Sequence, residues 1–228
     1  MKAILLLEDG FYLEGTSFGA ESETAGEVVF NTSMYGYQEI LTDPSYKGQI
    51  VCMTYPLIGN YGVNNIDVES GKVCVEGFVV KEKSHIVSSW RAKGALDSYL
   101  KDNNIVAIEG IDTRALTRRL RQYGSMKGII SSIDLNLENL KKKLNVMPSI
   151  AGQDLVSRVT SQGIYDWSEG LGLRRVSEAR VAPYTIVVID CGVKLSILRN
   201  LKENFKRVIV VPYDTPLKEI IKLKPNGV

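Results

Sequence analysis

The residues that could carry out nucleophilic chemistry in this chain are three cysteines, Cys52, Cys74 and Cys191, and one histidine, His85. Cys191 stands where a predicted strand turns into a predicted helix, a position that activates thiols, so Cys191 and His85 could act as nucleophile and base. The DCGVK sequence around Cys191 lacks the glycine-flanked turn that exposes such a nucleophile, which disfavours this pairing. Cys52 and Cys74 lie in predicted apolar strands, where a thiol is inert. The sequence therefore predicts no catalytic residue.

Metal and cofactor sites are not indicated by the sequence. A single histidine excludes any site that needs two imidazoles, and an odd number of cysteines without CxxC spacing fits neither a disulfide framework nor a zinc site. The GLGLRR sequence at 170–175 follows no predicted strand, and DCGVK has one glycine, so neither is a phosphate-binding loop. We therefore expect no metal and no cofactor in this chain.

A polar segment at residues 30–46, FNTSMYGYQEILTDPSY, lies between two predicted buried strands. Loops of this kind are common and usually only cover the core, and residue chemistry alone favours that interpretation. The alternative is a surface that reaches a neighbouring site. In that case the Ser45 hydroxyl, beside the turn that Asp43 and Pro44 predict, would be the donor or acceptor.

A second candidate surface is a stripe of arginines on a helix predicted over residues 113–123. Arg114, Arg118 and Arg121 stand at i, i+4 and i+7, opposite an apolar stripe. Charge runs on helices are usually solvated faces. Docking of an acidic partner is the alternative, because arginine makes bidentate contacts with carboxylates. A nucleic-acid role is disfavoured by the net charge of +2 and by the lack of neighbouring aromatic residues.

The composition is that of an ordinary globular protein. The 228 residues are 44% hydrophobic and 24% charged, which excludes disordered and collagen-like classes. The apolar run at residues 3–7 is too short for a secretory signal, and no run approaches the roughly 20 apolar residues of a membrane span. We expect a cytoplasmic protein that binds neither membrane nor nucleic acid.

Periodicity divides the chain into two folded parts. Mixed strands and helices without strict alternation predict an α+β or layered β/α domain over residues 1–147. Its helix at 113–123 should begin at Asp112 and end at Gly124. The predicted strands of this domain lie at residues 2–8, 11–15, 27–31, 49–55, 75–82, 105–111 and 126–132.

The remaining residues predict a linker over 148–183 and a β-α-β-α pattern over 184–228. The second pattern is the opening of a parallel α/β sheet, whose strands at 185–190 and 207–211 should be buried on both faces. Two such strands cannot cover their own apolar faces, so we expect this second domain to be incomplete.

Several long segments resemble the small, glutamine-hydrolysing subunit of carbamoyl-phosphate synthetase, and together they span nearly the whole chain. The segments are FNTSMYGYQEILTDPSYKGQIV, TYPLIGNYGVN, EKSHIVSSW, NNIVAIEGIDTRALTRRLR with MKGIIS, and DCGVKLSILRNL. The resemblance implies a three-layer β/β/α domain over 1–147, followed by the start of a flavodoxin-like class I glutamine amidotransferase domain over 184–228.

The resemblance also implies a function. The family's small subunit is a glutaminase that supplies ammonia to a large synthetase subunit, which makes carbamoyl phosphate from bicarbonate and ATP for arginine and pyrimidine synthesis. It implies that Ser45 reaches the glutamine pocket, and that ATP and divalent metal bind the large subunit. The family's catalytic Cys, His and Glu would lie beyond residue 228, so we expect a truncated and inactive chain. The alternative is a non-catalytic docking or scaffolding module for the large subunit.

Overall fold

The computed structural model describes residues 1–172 and 181–228, which form two compact units, Met1–Gln153 and Asp154–Val228. The division falls inside the segment predicted as a linker, 148–183. Part of that segment, and part of the GLGLRR sequence at 170–175, lie outside the described residues.

The strands of the first unit form mainly one sheet. The strands, all within described residues, are β1 (Lys2–Leu7), β2 (Tyr12–Gly19), β3 (Glu23–Asn31), β4 (Gln49–Met53), β5 (Leu57–Ile58), β6 (Gly77–Val79), β7 (Glu82–Lys83), β8 (Val106–Glu109) and β9 (Met126–Ser131). The order in the sheet is β1-β2-β8-β6-β4-β3-β9, and β9 pairs with β1 as well as β3, so the sheet closes on itself. The expected mixture of strands and helices is confirmed, whereas the closure of the sheet was not expected from the sequence.

The strand predicted at 75–82 is wrong as a single element. The chain leaves the closed sheet after Val79, and Glu82 and Lys83 pair instead with β5 in a separate two-stranded sheet. The central strand at 49–55 is confirmed, since residues 50–53 of β4 are completely buried between β3 and β6.

Two glycines in the closed sheet, one in β9 and one in β3, remove side chains at points where the chain approaches closely. Gly128 in β9 is paired with Gly26 in β3 and with Leu7 in β1. A Cβ atom at Gly128 would overlap the Val28 side chain, and one at Gly26 would lie 2.8 Å from the Gly48 carbonyl oxygen. Larger residues at either position would therefore push the strands apart.

Four helices and one short turn of 3-10 helix complete the first unit. The predicted boundaries of the third helix are confirmed: Asp112 Oδ1 accepts a hydrogen bond from the Ala115 N–H at 2.8 Å, and Gly124 ends the helix with φ 89°. The elements are α1 (Tyr37–Thr42), the 3-10 turn Pro44–Tyr46, α2 (Leu96–Asp102), α3 (Thr113–Tyr123) and α4 (Leu137–Val146).

The second unit is built on a parallel pair of strands. The described elements are α5 (Val156–Val159), β10 (Tyr165–Trp167), β11 (Ala182–Asp190), α6 (Leu195–Asn204), β12 (Phe205–Pro212) and α7 (Leu217–Lys222). β11 and β12 are parallel, as predicted, and β10 adds an antiparallel strand on the other side of β12. Two of these elements, α5 and β10, lie within the segment predicted as a linker, 148–183.

Burial on both faces holds for β12 but not for β11. Residues 208–211 are 0–1% exposed, whereas Ile189 is 40% and Tyr184 51% exposed. Among the described residues, β12 is the central strand with a paired strand on each side, whereas β11 is an edge strand whose second side is hydrogen-bonded only to Asn226 and Gly227. The prediction of two fully buried strands is therefore wrong for β11.

We expect backbone amides at 50–53 to exchange with deuterium more slowly than those at 186–189, with those at 208–211 between them. The reason is that β4 has a hydrogen-bonded strand on each side in a closed sheet, whereas the second side of β11 is hydrogen-bonded, among the described residues, only to Asn226 and Gly227. Hydrogen exchange followed by mass spectrometry measures this. Equal protection of 50–53 and 186–189 would contradict it.

Candidate functional site

The polar segment at 30–46 is held in place by a tyrosine from another loop. Tyr61 Oη accepts hydrogen bonds from the N–H groups of Gly36, at 2.6 Å, and Tyr37, at 3.2 Å. The two tyrosine rings stack with centroids 4.2 Å apart, and Tyr37 Oη donates to the Gly62 carbonyl at 2.6 Å. Because α1 has no side-chain cap of its own, Tyr61 supplies the acceptor that its first N–H groups need.

Burial raises the pKa of Tyr37 and also that of Tyr61. Both phenols therefore keep their protons at neutral pH. They act here as hydrogen-bonding groups of the structure rather than as acids.

A buried glutamine fixes α1 to the same loop. The Gln38 side chain, 1% exposed, donates to the Asn64 carbonyl and accepts from the Asn64 N–H at 2.9 Å. One turn later, Thr42 Oγ1 accepts from the Glu69 N–H at 2.8 Å. Sequence reasoning did not find Tyr61, Gln38 or Asn64, since their partners are more than 20 residues apart, and only the polar, tyrosine-rich composition hinted at them.

Ser45 lies on the exposed surface of the 3-10 turn, beside the predicted turn residues. Asp43 Oδ1 accepts a hydrogen bond from the Ser45 N–H at 2.9 Å, and Pro44 is buried beneath the turn. Tyr46 Oη accepts from Asn31 Nδ2 at 2.9 Å, which fixes the other end. Ser45 Oγ has no hydrogen-bond partner among the described residues. The exposed hydroxyl is therefore accessible to a ligand.

Of the thiols, those in the first unit are buried. Burial raises the pKa of Cys52 to about 12 and also raises the pKa of Cys74. Both are therefore poor nucleophiles at neutral pH, as expected. Cys74 is placed differently from its prediction, since it lies before β6 rather than within a strand, with its Sγ 3.4 Å from Ser70 Oγ.

The remaining candidate nucleophile and base lie in different units. His85 is exposed in the loop after β7 of the first unit. Cys191 is exposed and directly follows β11 of the second unit. No cysteine of the first unit is hydrogen-bonded to His85, so within that unit no thiol has a histidine base.

Two other classes of site were searched among the described residues. No helix there is long and apolar enough to cross a membrane. No three or more histidine, cysteine or carboxylate side chains there are grouped so that they could hold a metal ion.

Comparison with known proteins assigns the chain to a family. The profile of the family described as carbamoyl-phosphate synthase small chain, CPSase domain, matches residues 5–130, more than half of the chain. The chain belongs to this family. The match includes the polar segment at 30–46 with Ser45, and the whole of α3 with its arginines.

Individual small chains are similar over almost all of this sequence. The carbamoyl phosphate synthase small chain of Syntrophotalea carbinolica is 53% identical over 231 residues, covering 100% of this chain and 61% of that protein. The small chain of Aquifex aeolicus is 54% identical over 228 residues, covering 99% and 62%. That of Thermotoga maritima is 51% identical, covering 100% and 55%. The chain thus spans about 55–62% of the length of these relatives.

We expect the substitution Tyr61→Phe to lower the free energy of unfolding by about 1–3 kcal/mol, because the N–H groups of Gly36 and Tyr37 lose their acceptor while the ring stack is kept. Chemical denaturation measures the loss, and hydrogen exchange should show faster exchange at those two amides. Tyr55→Phe is the matched control, since the Tyr55 hydroxyl makes no hydrogen bond to the described residues. Equal stabilities of the two variants would show that the Tyr61 hydroxyl does not hold the segment.

Proposed function

We propose that this chain is part of the small subunit of a glutamine-dependent carbamoyl-phosphate synthase. In this proposal the small subunit hydrolyses glutamine, and the ammonia passes to a large subunit that forms carbamoyl phosphate from bicarbonate and ATP in the cytoplasm. Family membership supports the proposal. The observation that carries it furthest is the exposed Ser45 hydroxyl, which has no hydrogen-bond partner among the described residues and lies on a fixed turn inside the matched domain.

Ser45 is proposed to bind the glutamine substrate. A hydroxyl can donate one hydrogen bond and accept others, so it suits the polar groups of glutamine. The bond from the Ser45 N–H to Asp43, the buried Pro44 and the bond between Tyr46 and Asn31 already fix the backbone here. Little conformational entropy is then lost when a ligand binds, which favours affinity.

The first unit is proposed to contribute binding rather than bond cleavage. Glutamine hydrolysis needs a thiolate nucleophile and a base, after which water releases the acyl group from the thioester. Burial holds the thiols of Cys52 and Cys74 in their protonated form, which suits a structural role. We place ATP and divalent metal on the large subunit and propose no cofactor for this chain.

The proposed function requires two domains, which we assign to the two units. We propose that the first unit is the docking domain of the small subunit, of three-layer β/β/α type. The second unit, with its parallel β11 and β12, would be the start of a flavodoxin-like amidotransferase domain. In this scheme the parts are residues 1–147, a linker over 148–183 and residues 184–228.

A second candidate function is docking alone, as a non-catalytic module for the large subunit. The exposed arginines of α3 favour it, because they can pair with carboxylates of a partner without any reacting group nearby. The two candidates differ in whether the small subunit that contains this chain hydrolyses glutamine, and a glutaminase assay of that whole subunit measures this difference.

We expect the 228-residue chain by itself to release no ammonia from glutamine above the blank. The reason is the lack of an accessible thiol with a histidine base in the first unit. An enzyme-coupled ammonia assay measures this, with the complete Aquifex aeolicus small chain as positive control. Turnover that Cys191→Ser abolishes would contradict the expectation and would restore Cys191 as nucleophile.

In a complete small chain of a relative that has a serine at the position of Ser45, we expect replacement of that serine by alanine to raise KM for glutamine about tenfold, with a smaller change in kcat. The loss of one polar contact costs about 1–3 kcal/mol, and each 1.4 kcal/mol is about tenfold. The matched control is alanine at the position of Ser33, an exposed serine whose hydroxyl also has no partner among the described residues. An unchanged KM, or equal effects at both positions, would remove Ser45 from the binding site.

A further inference from the structure

Helix α3 presents a row of exposed guanidinium groups. Arg114, Arg118 and Arg121 are all exposed, while Leu116 and Leu120 on the opposite side are 0% and 4% exposed. We call the three residues the arginine face of α3. The predicted orientation of this helix is thereby confirmed, and the arginines point away from the core.

The arginine face differs from the other arginines of the first unit, all of whose residues are described. Arg91 pairs with Asp67 at 2.8 Å, and Arg119 pairs with Asp9 at 2.6 Å. Arg114, Arg118 and Arg121 form no ion pair or hydrogen bond with any described residue. The unit therefore neutralises its other arginines and leaves three charges together on one surface.

The backbone that carries the face is fixed. Asp112 caps the start of α3, and two leucines anchor the helix in the core. On its flank, the Arg119 guanidinium lies 4.7 Å from the centre of the Phe11 ring and pairs with Asp9. A partner would therefore meet a helix that does not need to be ordered on binding.

The spacing makes the three charges act together. Positions 114 and 121 are separated by about 10 Å along the helix axis, close to the screening length at physiological salt. Like charges three or four residues apart repel one another and destabilise a helix. The stability of α3 therefore gives no reason for this arrangement, whereas binding to an opposite charge does.

We infer that the arginine face of α3 binds a protein surface rich in carboxylates. Guanidinium groups form bidentate pairs with carboxylates, and arginine is enriched at protein interfaces. Nucleic acid fits less well, since the chain has a net charge of only +2 and no aromatic residue lies among the three arginines to stack on bases. Resting on the proposed function, the carboxylate surface belongs to the large synthetase subunit.

The test measures binding of the 228-residue chain to immobilised large subunit by surface plasmon resonance. The double variant Arg114→Glu, Arg118→Glu should lower the association rate constant about tenfold or more at low ionic strength, with a smaller difference at high salt. The variant Arg114→Lys, Arg118→Lys keeps the charge but loses the bidentate geometry. Its association rate constant should lie between that of the glutamate variant and that of the unaltered chain.

The matched control is Lys141→Glu, Lys142→Glu on α4, which changes the net charge equally at exposed positions without an ion pair to the described residues. Circular dichroism checks that all variants fold alike. Equal effects of the two glutamate variants, or no effect of either, overturn the inference while the association stands. No binding by the unaltered chain contradicts the proposed association and the inference together. Tighter, arginine-dependent binding to duplex DNA or RNA than to the large subunit overturns it in favour of nucleic acid.

Discussion

The structure of the first unit depends on the closure of its sheet at β9. Because Gly128 has no side chain, β9 can lie against β1 and β3 at once, and the sheet then has no free edge at this point. Within the closed sheet β3 lies beside β4, and these two strands are parallel. A parallel pair cannot be joined by a tight hairpin and needs a crossover connection of a dozen or more residues. Residues 32–48 are that connection, so the polar segment with Ser45 is a consequence of the sheet's topology.

Much of the fold could be predicted because its signals are local. The apolar run of β4 and the helix between Asp112 and Gly124 are each specified by residues that are neighbours in the sequence, and both were predicted. The closure of the sheet and β10 were missed, because each depends on pairing between distant residues. β10 has only three residues, and Arg207 of the neighbouring strand pairs with Asp166 at 2.8 Å. The sequence of residues 165–167 does not by itself predict that contact.

In the candidate site, too, features set by adjacent residues could be predicted, whereas contacts between distant residues could not. The exposed position of Ser45 follows from Asp43 and Pro44, whose turn chemistry is contained in adjacent residues. The groups that hold the rest of the segment, Tyr61 and Asn64, come from a loop more than 20 residues away. Their side chains are ordinary in that loop, and only the fold brings the Tyr61 hydroxyl to the unsatisfied N–H groups of α1.

The first unit buries the groups that could react covalently and exposes groups that can bind a ligand or partner. The thiols are buried, and burial raises their pKa, so the chemistry they could perform is suppressed. The groups exposed on fixed backbone include the hydroxyl of Ser45 and the guanidiniums of the arginine face, which are suited to hydrogen bonds and ion pairs. A domain whose surface offers binding groups while its nucleophiles are buried is suited to holding a substrate or a partner in place.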